Sequence, residues 1–452
     1  MSKLNTPSAS VFVTTYNMPE HLALVLAGLE RQSFTNVEVF ICDDGSDHET
    51  QKMVTEFQLR APFRVSHLWQ RNRGFRKCRI LNQALGQARG DLCIFLDGDC
   101  IPHRHFFRDH IESYAPGTFG AGRRFEVGPE LAKTLTVSKI RHGWLDYPKW
   151  GLIRSVLKKD STHLQRTMRV LNPFLRSVLR LNRVIDMKGC NYSVSRSDLL
   201  KINGFDEFFE GYGREDTDVE ERLKNLGLEI RSLKGMALQF HVWHARREFT
   251  PKNDTLLDLT KGRELVRCKA GVFQEFLIEK ATLGDLIELC RVYAESWKAH
   301  YVGLLPQDFL DSLNEVSAQS FFSDYLTKAS ENPSQFLVLK ASDSQKEVVG
   351  FLVGGVDRFA QLGGGPDVGE IISFYTSPEM QRRHLGTQLF NVAKTWYLEN
   401  HFSRLRTWVL HTNPSRMFYE KLGGKLTAHT KTQVVGGQTC FDLCYEWKPL
   451  KF

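Results

Sequence analysis

The sequence predicts a two-domain α/β protein, with a mostly parallel sheet domain over residues 1–271 and a second α/β domain over residues 272–452. Three observations predict it. The chain has 452 residues, beyond the ~250–300 at which a single core usually stops growing. Apolar strand-like runs alternate with stretches whose apolar residues recur at helical spacing. The pattern of the first part stops near Gly271, and a fresh strand-like run, FQEFLIEKA, begins near Phe273.

In order along the chain, the first strand is expected over 11–14, followed by a helix carrying Leu22, Val25, Leu26 and Leu29 on one face. A strand over 37–42 runs into DDGS. After a strand over 64–68 comes a helix with Ile80, Leu81, Ala84 and Leu85, then an apolar strand over 92–96 ending in DGDC. Ligands of open parallel sheets gather beyond the carboxyl ends of the strands. Here those ends carry Asp43, Asp44, Asp97 and Asp99, a crowd of carboxylates that calls for a cation.

The composition, 42% hydrophobic and 25% charged, excludes a disordered, collagen-like or coiled-coil chain. The opening MSKLNTPSAS lacks the features of a signal peptide, and no apolar run approaches the roughly 20 residues of a membrane span. A cytoplasmic protein is expected. Nine cysteines without a CxxC pair read as reduced, packed thiols.

The net charge of +8 is concentrated, since residues 141–188 hold eleven Lys or Arg against Asp146, Asp160 and Asp186. Within this stretch apolar residues from Leu152 to Leu179 interleave with the bases, as in one or two amphipathic helices. Such helices can lie on an anionic membrane, bringing the protein to a lipid-linked partner at its inner face. The alternative is an insertion that packs its apolar face on the domain and solvates its charges.

An Asp-x-Asp where a strand stops, here Asp97 to Asp99, can hold a hard cation against diphosphate oxygens. Further on, Glu215 and Asp216 follow a glycine-rich turn and open a helix. One of them could take a proton from a hydroxyl as general base, or the pair could complement the helix dipole.

The ordered motifs VFVTTYN, ICDDGS, FLDGDC, GCN and GFDEFFEGYGREDTDVEERL resemble glycosyltransferase family 2 and the related galactosyltransferase-like group, over about residues 10–271. The resemblance implies a GT-A, Rossmann-like fold and inverting transfer from a nucleotide-diphosphate sugar, a UDP-sugar first, to a glycan or lipid-linked acceptor. It places Thr15, Tyr16, Asp44 and Asp97 at the donor and Asp99 on Mn²⁺ (or Mg²⁺). Asp216 becomes the base and Glu215 the grip on the acceptor. In FHVWHARRE the metal histidine is His244, with His241 as the neighbouring candidate. No nucleic-acid partner is expected.

In the second domain a helix is expected over 283–299, strands over 336–340, 348–354 and 370–376, a helix over 386–399, and strands over 405–410 and 439–447. The runs EIISFYTSPEMQRRHLGTQLF and NPSRMFYEKLGG resemble the GNAT acyltransferase superfamily, which implies N-acetyl transfer from acetyl-CoA. Gln381, Arg382, Arg383, Gly386, Thr387 and Asn413 would then hold the cofactor at a helix N-terminus. His384 stands where the family has glycine. Glu370 matches a water-mediated base and Tyr419 the acid that reprotonates the thiolate; the plainer alternatives are a strand-end acid and a packing aromatic. Two other functions stay open: an acetyltransferase with a degenerate sugar domain, and a GNAT domain that only binds or regulates.

Overall fold

The structure is a computed structural model that describes residues 6–183, 186–245, 248–274, 276–344, 346–381 and 383–450. The chain divides into two compact units, Met1–Val272 and Phe273–Phe452. No described helix is long and apolar enough to cross a membrane.

The strands of the first unit are β1 (Ala9–Thr15), β2 (Val37–Asp43), β3 (Arg64–Trp69), β4 (Leu92–Asp97), β5 (Cys100–Pro102), β6 (Thr118–Ala121), β7 (Phe125–Val127), β8 (Asn191–Ser195), β9 (Glu229–Ser232) and β10 (Gln239–Val242). Seven of them form one sheet in the order β3-β2-β1-β4-β8-β6-β9, and β5-β10-β7 form a small second sheet. β1, β2, β3 and β4 run parallel, and β8 is antiparallel to both β4 and β6. The expected α/β class with a mostly parallel first sheet is what the chain adopts.

Side-chain alternation splits this sheet's interior into two cores. Val11, Val13, Val39, Ile41, Ile94 and Leu96 enter one core, and Phe12, Phe40 and Phe95 enter the other. On that second face Phe12 stacks on Phe40 at 5.6 Å and on Phe95 at 4.8 Å, and Phe95 stacks on Tyr192 at 4.3 Å. This ladder ties β2, β1, β4 and β8 into one platform. The β5-β10-β7 sheet was not visible in the sequence, because strands of three or four residues show no periodicity.

Helix Glu215–Asn225 is fixed by a buried ion pair. Arg222 NH2 lies 2.7 Å from Asp218 Oδ2, both side chains 1% exposed. Thr260 Oγ1, on helix Lys252–Gly262, donates to the other oxygen of Asp218 at 2.6 Å. Arg222 NH1 also donates to the carbonyls of Ile202 at 2.7 Å and Gly204 at 2.8 Å, and these bonds together with that of Thr260 tie the helix to its neighbours.

The basic insertion holds two short helices, Trp150–Leu157 and Pro173–Val178. The first behaves as an ordinary insertion, with Leu152 buried and Val156 packed on the core. The second does not, because its apolar side chains face outward.

The second unit is a seven-stranded sheet built from β11 (Leu277–Lys280), β12 (Phe336–Ser342), β13 (Val348–Val356), β14 (Val368–Thr376), β15 (Arg404–Leu410), β16 (Lys425–Val435) and β17 (Gln438–Trp447). Their order is β11-β12-β13-β14-β15-β17-β16. β14 and β15 are parallel but pair only from Val368↔Arg404 to Ile371↔Thr407, after which no pairing joins them. A bulge in β13 at Val353/Gly354 receives the Tyr397 hydroxyl, which donates to the Glu370 carbonyl at 2.6 Å and accepts from Gly355 N at 3.1 Å. A Cβ on Gly354 would lie 2.1 Å from that oxygen, so glycine is required. β16 was not anticipated, because KLTAHTKTQVV is a polar edge strand.

Asp218→Ala leaves Arg222 buried and unpaired. It is expected to destabilise the first unit by about 3–5 kcal/mol, read as a lowered urea midpoint.

Candidate functional site

The carboxyl ends of β1, β2 and β4 bring the strand-end acids together. Thr14 Oγ1 donates to Asp97 Oδ1 at 2.8 Å and Gly98 N to the Thr14 carbonyl at 2.7 Å. This tight turn passes the chain from the large sheet to β5. β5 then pairs with β10, Cys100 opposite His241, and so sets a histidine beside Asp99.

His244 Nε2 lies 3.1 Å and His241 Nε2 3.8 Å from Asp99 Oδ2, and the two ring nitrogens are 3.3 Å apart. The far side of each ring fixes its tautomer. His244 Nδ1 is 2.8 Å from the Ala245 carbonyl oxygen, which can only accept, so that nitrogen carries the proton. His241 Nδ1 is 2.8 Å from Glu126 Oε2. Burial raises the Glu126 carboxyl, but the hydrogen bond from His241 and the charge of Arg124 outweigh it and hold it at about 2.

With their tautomers assigned from these partners, both imidazoles present an Nε2 lone pair to the same carboxylate oxygen. The three ligand atoms lie within 4.8 Å of one another. When a proton rather than a metal fills the cluster, burial raises Asp99, but a hydrogen bond donated by protonated His244 and the charge of protonated His241 outweigh it and hold the carboxyl well below the usual carboxylate range. Three acceptors facing one point are stable only with a cation or proton between them, and a divalent cation fits this donor set.

A second cluster surrounds a lysine that the sequence reading missed. Lys77 Nζ lies 3.4 Å from Asp216 Oδ2, 3.5 Å from Asp97 Oδ1 and 3.8 Å from Glu215 Oε1. Lys77 opens helix Lys77–Gln87. It precedes the buried Ile80, Leu81 and Ala84 by three, four and seven residues, so a cation stands in phase with an apolar face; that anomaly was the available signal. Burial lowers the lysine, and the three carboxylates more than restore it.

Asp216 is raised as well, for a different reason. Burial pushes it up first; Lys77 opposes, Glu215 and Asp97 add to the rise, and the group sits at about 7. Its side chain is 23% exposed, open to a ligand. Gly189 makes the room, since a Cβ there would lie 1.5 Å from Asp216 Oδ2. Glu215 Oε2 accepts from Gly213 N at 3.0 Å and closes the glycine-rich turn beside it.

The other strand-end residues divide. Thr15 Oγ1 is buried and, among the described residues, has no hydrogen-bond partner. The Tyr16 hydroxyl accepts from Asn72 Nδ2 at 2.8 Å. Asp44 is buried, and its two oxygens accept from Gln70 Nε2 at 2.5 Å and Arg76 N at 2.8 Å. Its carboxylate braces the loop after β3.

In the second unit, helix Leu385–Glu399 starts at His384, whose φ of 63° is left-handed. That conformation explains why glycine suits the position; here His384 adopts it and stacks on Phe273 at 6.0 Å. Gln381 Nε2 meets His300 Nε2, and Gly386 and Thr387 form the first turn. Arg382 lies outside the described residues. Arg383 is 1% exposed, so its charge is turned into the unit rather than offered at the helix start.

Asn413 Oδ1 accepts from Ser415 N at 2.8 Å and shapes the turn before helix Arg416–Lys421. Tyr419 on that helix is buried near Thr407, the last residue of β15 paired with β14, whose hydroxyl donates to the Ile371 carbonyl at 3.1 Å. Burial pushes the Tyr419 hydroxyl well up, so it holds its proton. Glu370 is fully buried, and Arg358 grips it with Nε at 2.8 Å on one oxygen and NH2 at 2.7 Å on the other. Both oxygens are engaged, as for a strand-end acid.

Comparison with known proteins agrees with this division. Residues 10–172 match the family described as Glycosyl transferase family 2, residues 181–245 the N-terminal domain of galactosyltransferase, and residues 291–424 the Acetyltransferase (GNAT) family. The uncharacterized N-acetyltransferase YuaI of Bacillus subtilis is 28% identical over 35% of this chain and 86% of its own length. Chondroitin synthase of Escherichia coli is 24% identical over 51% of this chain, and the uncharacterized glycosyltransferase YfnE of Bacillus subtilis 28% over 49%. The chain spans 34% and 62% of the lengths of those two relatives.

Among solved structures, the mannosyltransferase PcManGT of Pyrobaculum calidifontis, in complex with GDP-Man and Mn²⁺, is 15% identical. It covers 53% of this chain and 58% of its own, with a TM-score of 0.37. The chain thus joins a region that matches family 2 glycosyltransferases to a region that matches the GNAT family of acetyltransferases.

Glu126→Gln removes the carboxylate that fixes His241. It is expected to weaken Mn²⁺ binding about 10–100-fold, measured by calorimetry on the full chain.

Proposed function

We propose that the first unit transfers a sugar from a nucleotide diphosphate, a UDP-sugar first, to a hydroxyl of a glycan or lipid-linked acceptor with inversion. The observation that carries this reading is one crevice holding both a cation-competent Asp99–His241–His244 cluster and a carboxylate poised near neutrality, Asp216. A bound divalent cation supplies the charge that neutralises a leaving diphosphate. Two imidazole ligands favour Mn²⁺ over Mg²⁺.

Asp216 takes the proton of the acceptor hydroxyl as its oxygen bonds to the sugar's anomeric carbon and the bond to the diphosphate breaks. A single base and a single displacement give inversion. Lys77 is a positioning residue: it holds Asp216 and Asp97 in place and sets the proton affinity of the base. Thr15 and Tyr16 border the donor, whereas Asp44 acts by bracing the loop that faces it.

For the second unit we propose acetyl transfer from acetyl-CoA to an amine. The parting of β14 and β15 supports it, because the unpaired peptide groups beyond Ile371 and Thr407 can receive an extended chain. Tyr419, protonated and buried near the last paired residue, returns a proton to the departing thiolate. Glu370 serves as a structural partner of Arg358 in this reading, and solvent or another group takes the amine proton.

Nucleotide release from a panel of UDP-sugars tests the first activity. Turnover with Mn²⁺ and its loss in Asp99→Asn are expected; undiminished turnover with chelator present contradicts the assignment. Tyr419→Phe is expected to slow thiol release from acetyl-CoA about 100-fold or more in a chain that remains folded.

A further inference from the structure

The helix Pro173–Val178 is inside out. Its buried member is Arg176, whose guanidinium donates to the carbonyls of Val170 at 3.1 Å, Lys234 at 2.7 Å and Ser232 at 3.1 Å. Its apolar members face solvent: Phe174 is 73% exposed and Val178 61%. A soluble surface hides such groups, so this face is shaped for an apolar partner.

Beside the helix lies a cavity of about 230 Å³ whose polar lining is Arg123, Gln165, Arg166, Arg180 and Lys234, with Leu179 as an apolar wall. Four cations thus share one small space. Among the described residues the acid in a salt bridge with any of them is Asp186, which pairs Arg123 through one oxygen and Lys188 through the other. Burial and then the neighbouring Arg123 push Arg166 below its usual range, and the same two causes with Arg166 push Lys234 down. Cations held together at such cost mark a place for an anion.

We infer that this cavity binds the phosphate headgroup of an anionic membrane lipid while Phe174 and Val178 enter the apolar layer above it. Arg166, Arg180 and Lys234 offer forked and point donors to phosphate oxygens. Leu179 continues the apolar surface to the cavity wall, so headgroup and chain are met by one continuous site. The inference deepens the reading of a lipid-linked acceptor and rests on the basic insertion facing a membrane.

The test compares the full chain with two variants, Arg166→Gln/Lys234→Gln in the cavity and Phe174→Ser/Val178→Ser on the helix; circular dichroism confirms that each is folded. Arg180→Gln, at an exposed side chain, serves as a milder cavity variant. Co-sedimentation uses phosphatidylcholine vesicles with and without phosphatidate, and calorimetry uses dihexanoyl phosphatidate as a soluble probe beside inorganic phosphate. The protein is expected to prefer phosphatidate vesicles, and the double cavity variant to lose roughly 10–30-fold in that binding. The helix variant is expected to lose vesicle binding but keep the soluble probe.

Soluble phosphatidate bound by the unaltered chain, lost in the cavity variant, with no vesicle binding, would keep the headgroup site and remove the membrane reading. Equal vesicle binding by the unaltered chain and cavity variants would overturn the site and leave the membrane reading standing. Inorganic phosphate bound as tightly as dihexanoyl phosphatidate would overturn the lipid assignment.

Discussion

Repulsion among the carboxylates Asp97, Asp99, Glu215 and Asp216 is the constraint on which the crevice depends. Asp97 and Asp99 come from a strand end, Glu215 and Asp216 from a helix start far along the chain, and none can be moved without dismantling a buried element. Lys77 answers three of them at 3.4–3.8 Å. The fourth, Asp99, is answered by His241 and His244, whose lone pairs demand a cation of their own. The two halves of the site therefore divide the charge, with the fixed cation Lys77 answering one group of acids and the Asp99–His241–His244 cluster open to a replaceable one.

This division explains the unequal behaviour of neighbouring acids. With its histidines protonated Asp99 is held far down, whereas Asp216, buried, crowded by two carboxylates and backed by one lysine, sits at about 7. One acid is kept ionised to hold a ligand and the other poised to accept a proton. The supporting framework is equally specific. Arg222 and Thr260 grip Asp218 and so locate the helix start, and the absent side chain of Gly189 leaves space for the Asp216 carboxylate.

Much of this was legible in the sequence because it rests on local pattern. The strands 37–42 and 92–96 are apolar runs ending in acids, and the helix after Met18 shows one buried stripe. All three members of the Asp99–His241–His244 cluster were candidates, with the two histidines as alternatives; the pairing of Cys100 with His241 that lets both rings converge is a contact between distant segments. Lys77 was overlooked because its partners come from two distant elements, the end of β4 and the start of helix Glu215–Asn225. Asp44, Arg383 and Glu370 were read as ligand-facing from their motif positions, and the fold spends their charged groups internally. The inside-out helix at 173–178 was read as ordinary amphipathicity, since a sequence does not say which face turns inward.

The central claim is that Asp216 is a base whose proton affinity is set by burial, Glu215, Asp97 and Lys77. The most direct measurement is the pH dependence of kcat/KM for sugar transfer by the unaltered chain and by Lys77→Gln. Because the Asp216 carboxyl is raised, its basic form is lost as pH falls through about 7, so activity should decline below that point. Removing the lysine's charge should move the acid limb to higher pH. An acid limb at the ordinary carboxylate range, or one that Lys77→Gln leaves unmoved, would contradict the account.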